Sequence, residues 1–595
     1  MGSAARGSAL LGAFVLLVGS VQARSSSDVV VAGKWEPIEL VFDGPFATEL
    51  DSDPNPFLDY RLVVTLVAPS GRVWRVPGFF DGDGEGFGAG TTWKARFSAD
   101  EVGDWSYTAS FRAGPGVAID LAPGAGAPVA FDGETGTVFV GPVASDAEGF
   151  LARGRLEYAG RHHLRFREGG WFLKGGTNSP ENLLGYVGFD DVIDMGGIGL
   201  VHEYLPHLQD FEALDQEVPP QGEAIVGALN YLSSVGVNSI YFLPMNLGGD
   251  GQETCPFVGY TKTPFDKTHY DVSRLHQWNR FFEHAQRKGI QLQFVLAETE
   301  VENEQWLDGG IMGPERKLFF RELVARFAHL LAVKWNLCEE NDGFTINVLI
   351  KMAQYLRDLD PYDHPLAVHN PPSDFADYWA LLGEPLFTAT SIQYEPALAG
   401  SYVEEWRAQS AAAGVPWIVD MDENGAGLGI DNAAELRKEV LWDVYLSGGN
   451  VEWYAGYFDP AAGGGDVTLE DFRTREEMWL FMRHARDFLE PLPFWRMEPA
   501  DGLLFGEAPA YGGGEVFALS GRVYAVYLPD ASQGGMLDLT GTSGAFDLLW
   551  YDPRTGTWIG PPRRVAGGAV VDLGLPPADV DEDWALVARR RRTDF

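Results

Sequence analysis

Cysteine is scarce in this chain, with only 2 among 595 residues. A framework of disulfides is therefore excluded as the main source of stability. Cys255 and Cys338 both follow predicted strands, and we expect two free thiols; a single bridge is the alternative. A chain of this length exceeds the size of one hydrophobic core, so it predicts two to four domains.

Basic residues are also few, with 44 Lys and Arg against 85 Asp and Glu and a net charge of −41. The acid excess is spread along the chain and disfavours nucleic acid and anionic membranes as partners. The apolar run at 9–18 is too short to span a bilayer, and no later stretch is long and apolar enough to span one either. With Val21-Gln22-Ala23 after it, the run predicts a signal peptide (1–23) cleaved after Ala23, hence a secreted or periplasmic protein.

Several chemical motifs are missing. The sequence has no H-E-x-x-H or Cys/His zinc spacing, no G-x-S-x-G elbow, and no G-x-G-x-x-G after the first predicted strand of its α/β region. The acidic turn Asp81–Gly86 lacks the remaining ligands of an EF-hand, so we interpret it as a solvated hairpin turn. No cofactor and no metal site are predicted. A structural calcium ion stays conceivable without being predicted.

Alternating apolar strands without helical periodicity occupy both ends of the chain. The N-terminal segments are 35–42, 60–67, 91–97 and 105–111, which predict an Ig-like β-sandwich of about seven strands over residues 24–145. The C-terminal segments are 515–519, 522–528, 546–551 and 584–587, which predict a second β-sandwich over residues 494–595.

Between them, over residues 146–493, strand-like segments alternate with amphipathic helices. One helix is predicted to begin at Ser273 as its cap, to bury Leu275, Trp278 and Phe282, and to end at Gly289. The predicted strands are 171–174, 239–243, 291–296, 332–337, 366–368, 389–393, 417–420 and 451–453. Eight such units predict an α/β fold of the (β/α)8 TIM-barrel type; a doubly wound open sheet is the alternative.

Functional residues of such a barrel lie where its strands run into the following loops. Those positions hold Asn178, Glu181, Asn246, Glu298, Glu339, Glu340, His369, Gln393, Asp422, Glu423, Glu452 and Trp453. Carboxylates, amides and aromatic rings are what a sugar requires, and glycosidic cleavage requires two carboxyl groups flanking the bond. Taken singly, Glu181 is as well explained as a capping or solvated charge, His369 as a core histidine, and Trp453 as a barrel plug.

Six segments carry a family resemblance. They are 171–182, 245–251, 296–300, Trp335-Asn-Leu-Cys-Glu-Glu-Asn, 421–424 and 451–454. The chain resembles clan A glycoside hydrolases, and more closely bacterial barrel proteins with an N-terminal sandwich of unassigned function and a C-terminal sandwich of the collagen-binding type. It is distantly similar to apiosidase-like hydrolases. The resemblance implies an acid/base Glu after strand 4, a nucleophile after strand 7, and substrate contacts by the polar strand-end residues and Trp335.

Each of these two positions offers a pair of acids. Counting from Trp335 puts Glu340 at the acid/base position and Glu339 where the clan has Asn. On strand 7, regular alternation would turn Asp422 inward, whereas a bulge would present Glu423. We favour Glu340 and Glu423 and keep Glu339 and Asp422 as alternatives.

The expected function is that of a retaining glycosidase acting on a polysaccharide or oligosaccharide. A non-catalytic glycan-binding or adhesion protein with a degenerate barrel is the alternative. A polysaccharide lyase is disfavoured, because the strand ends offer few Arg or Lys to neutralise a uronate. The sequence leaves the sugar, the linkage and the oligomeric state open.

Overall fold

The computed structural model describes residues 21–23, 30–193, 200–212, 221–249, 251–261, 263–372, 374–393, 395–425, 432–456 and 464–591. The predicted signal peptide falls almost wholly outside these residues, except for the short strand Val21–Ala23, which pairs with Ile38–Leu40. Within the described part of the chain, no helix is long and apolar enough to cross a membrane.

The N-terminal region consists of two sheets. One is made of Val21–Ala23, Pro37–Thr48, Ala89–Ser98 and Phe79–Phe80; the other of Val30–Gly33, Thr135–Gly141, Gly103–Ala113, Tyr60–Val67 and Val73–Pro77, with Ala127–Pro128 at its edge. The strand Tyr60–Val67 has the predicted bounds, and its buried residues largely alternate with partly exposed ones. Aromatic side chains from both sheets, among them Phe42, Trp93 and Phe111, share one buried cluster. A sandwich remains our interpretation of this pair of sheets.

The acidic turn after Phe80 differs from the expectation. Asp83 and Glu85 are exposed, but Asp81 is only 1% exposed and lies 2.8 Å from Lys94 Nζ. Arg326 reaches the same carboxylate at 3.5 Å and donates to the Phe80 carbonyl at 2.7 Å. Asp81 is therefore part of the contact between the N-terminal region and the helix that carries Arg326, and the interpretation as a solvated turn was wrong for this residue.

The central region contains seven parallel strands in one sheet. In spatial order they are Leu366–Ala367, Val333–Asn336, Gln291–Val295, Ser239–Phe242, Gly175–Thr177, Asn450–Tyr454 and Asp420–Gly425. Segment 388–393 lies between the two edge strands through the parallel bridges His369–Ser391, Ala389–Ile418 and Gln393–Glu423. The core is thus mixed α/β and barrel-like, with the sixth predicted strand reduced to isolated bridges.

Helices connect these strands. Their bounds are Gly149–Arg153, Glu223–Ser234, Val272–Arg287, Val301–Glu304, Pro314–Phe327, Ile346–Leu359, Ala376–Leu381, Ala399–Ala412, Ala433–Leu436, Trp442–Leu446 and Glu476–Leu489, with a π-helical turn at Arg437–Leu441. The helix predicted with Ser273 as its cap begins two residues earlier, at Val272, because Asp271 is the cap and accepts from the Arg274 amide at 2.8 Å. Ser273 instead donates to the Asp190 carboxylate. Gly289, with a positive φ of 75°, follows the helix as expected.

The first and seventh strands lie later in the chain than predicted. The first is Gly175–Thr177, whereas Trp171 only forms an antiparallel bridge to Arg165. Glycine has a low strand propensity, so the pattern favoured the apolar residues before it. Packing explains the glycine: a Cβ at Gly176 would lie 2.6 Å from the Ser239 carbonyl oxygen. The seventh strand, Asp420–Gly425, begins where the prediction ended, so its acids lie inside the strand.

The C-terminal region also contains two sheets. Six strands are Glu498–Pro499, Glu515–Leu519, Val523–Leu528, Trp584–Arg590, Ala545–Asp552 and Thr557–Ala566; three more are Leu504–Phe505, Met536–Asp538 and Val570–Asp572. Tyr527 stacks on Trp442 of the central region at 4.8 Å. Beside this contact, the buried Asp583 accepts from Arg437 Nε at 2.8 Å and Nη2 at 2.7 Å, and from the Tyr527 hydroxyl at 2.9 Å.

Replacing Asp583 with Ala leaves the buried guanidinium of Arg437 without its carboxylate. We expect the free energy of unfolding to fall by about 3–5 kcal/mol, the usual cost of breaking a buried pair from one side. Chemical denaturation would measure it. The control is Glu490→Gln, which removes a helix-surface partner of Arg486 that is 43% exposed and costs about 0–1 kcal/mol. Equal effects of the two substitutions would contradict the expectation.

Candidate active site

A layer of charged side chains fills the interior of the parallel sheet. Lys174 Nζ lies 2.5 Å from Asp422 Oδ1 and 3.4 Å from Asp420 Oδ2. Lys334 Nζ lies 2.6 Å from Asp420 Oδ2 and 3.0 Å from Asp422 Oδ2. All four side chains are at most 3% exposed, so each ammonium group is neutralised inside the protein. Burial alone would lower the pKa of Lys174, but the neighbouring carboxylates outweigh it and raise that pKa.

Glu452 is the fifth ionisable group of this charged layer. It is fully buried, its Oε2 lies 3.2 Å from Lys174 Nζ, and its Oε1 accepts from the Ser239 hydroxyl at 2.5 Å. Burial raises the pKa of Glu452 to about 8; the attraction of Lys174 opposes this rise and the charge of Asp422 adds to it. With Glu452 protonated, the layer holds two positive and two negative charges. Glu452, predicted to contact substrate, thus lies in the charged layer.

A β-bulge brings two consecutive acids to the interior. Met421 pairs with Val451 and Asn424 with Trp453, so that Asp422 and Glu423 together oppose Glu452. On the other side of the strand, the amides of Asp422 and Glu423 both donate to the Ile392 carbonyl, at 3.0 and 3.2 Å. Consecutive residues of a regular strand face opposite sides, but a bulge allows both to face inward.

Above the charged layer, Glu423 faces Glu339 across an imidazole. His369 Nε2 lies 3.8 Å from Glu423 Oε2, and His369 Nδ1 lies 3.9 Å from Glu339 Oε1. One carboxylate oxygen of each Glu and one ring nitrogen of His369 all lie within 4.8 Å of one another. We call Glu339, His369 and Glu423 the carboxylate–histidine cluster. The ends of the fourth and seventh predicted strands, where the sequence predicted the catalytic acids, therefore lie next to each other.

The cluster is enclosed. Glu339 and Glu423 are 6% and 5% exposed, and His369 is fully buried. Burial lowers the pKa of His369 to about 3, so its ring is neutral near neutral pH. Tyr241, which the sequence analysis missed, directs its hydroxyl at His369 Nδ1, 3.4 Å away. The alternation of strand Ser239–Phe242 could have indicated Tyr241, because Ser239 and Tyr241 share the inward face.

The polar residues predicted around the pair are buried near the strand ends. Gln393 forms a β-bridge with Glu423, and the backbone N–H of Asn178 donates to the Trp453 carbonyl at 3.2 Å. Among the described residues, Asn178 Nδ2, Asn246 Nδ2 and Gln393 Oε1 have no hydrogen-bond partner. Glu181 and Glu298 are 5% and 2% exposed. Such buried amide groups could each bond a ligand.

Three predicted site residues lie elsewhere. Trp335 is on the outward face of its strand, where its Nε1 donates to Asp360 at 3.1 Å and its ring packs on Phe294. Trp453 is 1% exposed in the large hydrophobic cluster, on the opposite face from Glu452. Glu340 has a positive φ of 39° and is not part of the carboxylate–histidine cluster. Of the two adjacent acids, Glu339 and not Glu340 therefore lies beside His369 and Glu423, while the catalytic role of either acid stays a prediction.

Glu339, His369 and Glu423 are also the one set of potential ligands in the described chain that a metal ion could join. His369 presents Nε2 to Glu423 at 3.8 Å and Nδ1 to Glu339 at 3.9 Å, so its two ring nitrogens face different carboxylates. A zinc ion would bind only one of these nitrogens, with all of its ligands about 2.0–2.2 Å from the metal. The spacing favours a pair of acids over a preformed metal centre. Cys338, free and buried like Cys255, donates to the Glu339 carbonyl rather than facing the cluster.

Comparison with known proteins supports the fold described above. Residues 31–112 match a domain of unknown function (DUF5060), in the region predicted as a sandwich of unassigned function. No curated protein matches the chain. A candidate glycoside hydrolase from Bacteroides vulgatus has a similar structure, with a TM-score of 0.62 at 18% identity over 94% of this chain and 100% of that one. This chain therefore shares the fold of that structure.

Two further structures support this fold assignment. A family 5 glycoside hydrolase from Bacteroides vulgatus gives a TM-score of 0.55 at 14% identity, over 75% of this chain and 94% of that one. Another glycoside hydrolase gives 0.56 at 12% identity, over 76% and 100%. The similarity to apiosidase-like hydrolases and the collagen-binding type of the C-terminal sandwich stay predictions.

The raised pKa of Glu452 predicts a pH-dependent cost. The native state holds a proton that the unfolded chain, with a pKa of 4.5, releases, so the contribution of Glu452 to stability falls as pH rises from 4.5 to about 8. Glu452→Gln keeps the shape without titrating. We expect the melting temperature of the variant to rise relative to that of the wild type as pH increases across this range. Above about pH 8 the difference between the two melting temperatures should stay constant. A difference in melting temperature that stays flat from about pH 5 to about pH 9 would contradict this.

Proposed function

We propose that the protein is a retaining glycosidase, with Glu339 as acid/base and Glu423 as nucleophile. The supporting observation is the approach of the two carboxylates, within 4.8 Å together with His369. Retaining glycosidases place their carboxyl groups about 5–5.5 Å apart, whereas inverting enzymes need about 6.5–9.5 Å to admit a water molecule. The short separation favours direct attack by a carboxylate.

The chemistry follows from this arrangement. Two carboxyl groups this close in an enclosed site cannot both be ionised without cost, so one holds a proton. In the proposed reaction, Glu339 gives that proton to the leaving oxygen while ionised Glu423 attacks the anomeric carbon. Glu339 then removes a proton from water, which releases the sugar from Glu423. The neutral imidazole of His369 lies between the carboxylates and does not compensate their charge.

The substrate is proposed to be an oligosaccharide or polysaccharide. Asn178, Asn246 and Gln393 carry buried amide groups that could bond sugar hydroxyls, with Glu181 and Glu298 as further candidates. A site built to bond hydroxyl groups rejects analogues that lack them. No cofactor is required for this reaction. We further propose that the core is a closed (β/α)8 barrel between two sandwiches, with the boundaries given above, and that the protein is exported.

Substitution of the two acids tests the mechanism. Glu339→Gln and Glu423→Gln should each lower kcat by at least about 10²-fold, because each removes a group that transfers a proton or forms a bond. The matched control is Glu340→Gln, which lies outside the cluster and should change kcat by less than about threefold. Hydrolysis of a panel of aryl glycosides and polysaccharides would measure these effects, and NMR of the first product should show the anomer of the substrate.

The results separate the alternatives. Full activity in both substituted proteins would rule out the assignment, and an inverted product would refute the retaining mechanism. Binding of glycans by calorimetry without any turnover would support a non-catalytic glycan-binding protein instead.

A further inference from the structure

Asp422 lies beside the proposed nucleophile but has no access to a substrate. Its side chain is fully buried, and both oxygens are occupied by protein donors. Oδ1 accepts from Lys174; Oδ2 accepts from Lys334 at 3.0 Å, from Gln293 Nε2 at 2.8 Å and from the Ser391 hydroxyl at 2.7 Å. A carboxylate held by four donors is neither a nucleophile nor a proton shuttle.

The bulge that presents Glu423 is costly to maintain without support. It leaves one residue of the strand outside the regular ladder, and both amides share the Ile392 carbonyl. If the strand relaxed to regular alternation, Asp422 and Glu423 could not both face the interior. One of the two side chains must therefore be held inward strongly enough to offset the distortion.

We propose that Asp422 is a positioning residue for Glu423. Lys174, which directly precedes strand Gly175–Thr177, and Lys334, which lies in strand Val333–Asn336, both anchor Asp422. Ser391 anchors it from segment 388–393. With Asp422 fixed in the charged layer, the extra residue of the bulge has to direct Glu423 toward His369 and Glu339. The proposal rests on the proposed glycosidase function for its kinetic part, but its geometric part does not.

Asp422→Asn keeps the shape of the side chain and removes its charge. We expect kcat to fall on the order of 10²-fold, as for a reacting group displaced by about 1 Å, with KM changed less than about threefold. Ser391→Ala removes only one of the four donors, so it tests the same role even if Asp422→Asn does not fold. It should lower kcat by several-fold, also without a matching change in KM.

Asp420→Asn is the matched control. Asp420 contacts the same two lysines but precedes the bulge, so its replacement disturbs the charge balance without releasing Glu423. If Asp420→Asn and Asp422→Asn lower kcat equally at equal thermal stability, the positioning role is refuted and only the charge balance matters. Unchanged kcat in both Asp422→Asn and Ser391→Ala would also refute it.

A crystal structure of Ser391→Ala or Asp422→Asn decides the geometry without any substrate. We expect the Glu423 carboxylate to move away from His369 Nε2, beyond the 3.8 Å of the wild type. An unmoved Glu423 would overturn the proposal. Failure of the proposed function is a different result: the wild type would show no glycosidase activity, while the displacement of Glu423 would still be seen.

Discussion

Two ammonium groups inside a parallel sheet impose the main constraint on this protein. Lys174 and Lys334 are almost wholly buried, and burial of a lone ammonium would cost several kcal/mol. Asp420 and Asp422 compensate them, and a protonated Glu452 completes a layer without net charge. These specific pairs add to the hydrophobic pattern in fixing which residue of each strand points inward. The register of the strands near the proposed active site therefore depends on charge as well as on hydrophobic packing.

The proposed catalytic pair uses that register. Glu423 and Asp422 are neighbours in sequence with opposite surroundings: Asp422 is held by four donors, and Glu423 faces a neutral imidazole and a second carboxylate. The difference between the two acids arises from a single extra residue in the strand. A similar division exists at the other strand end, where the backbone turns at Glu340 and Glu339 faces His369 and Glu423.

Much of this arrangement could be predicted from patterns in the sequence. Alternation and helical periodicity located strands such as Tyr60–Val67 and helix Val272–Arg287 closely, since these elements have one continuous buried face. The two strand ends that hold Glu339 and Glu423 were also indicated. The charged layer was not, because the carboxylates that pair with Lys174 and Lys334 lie far along the chain and no local pattern indicates them. Strand Gly175–Thr177 was not predicted, because glycine is selected there by the close approach of another backbone and not by strand propensity.

Arg437 has a consequence for how the protein can be divided. Arg437 follows the strand of Asp422 and Glu423 in the chain and begins the π-helical turn Arg437–Leu441. Its guanidinium is neutralised by Asp583, which lies near the C-terminus. A central region produced without residues 494–595 would leave this cation in an apolar surface beside Trp442, which would also lose Tyr527. The central region alone therefore lacks the partners of Arg437 and Trp442, and a shortened chain that ends before residue 494 would need a different residue at position 437.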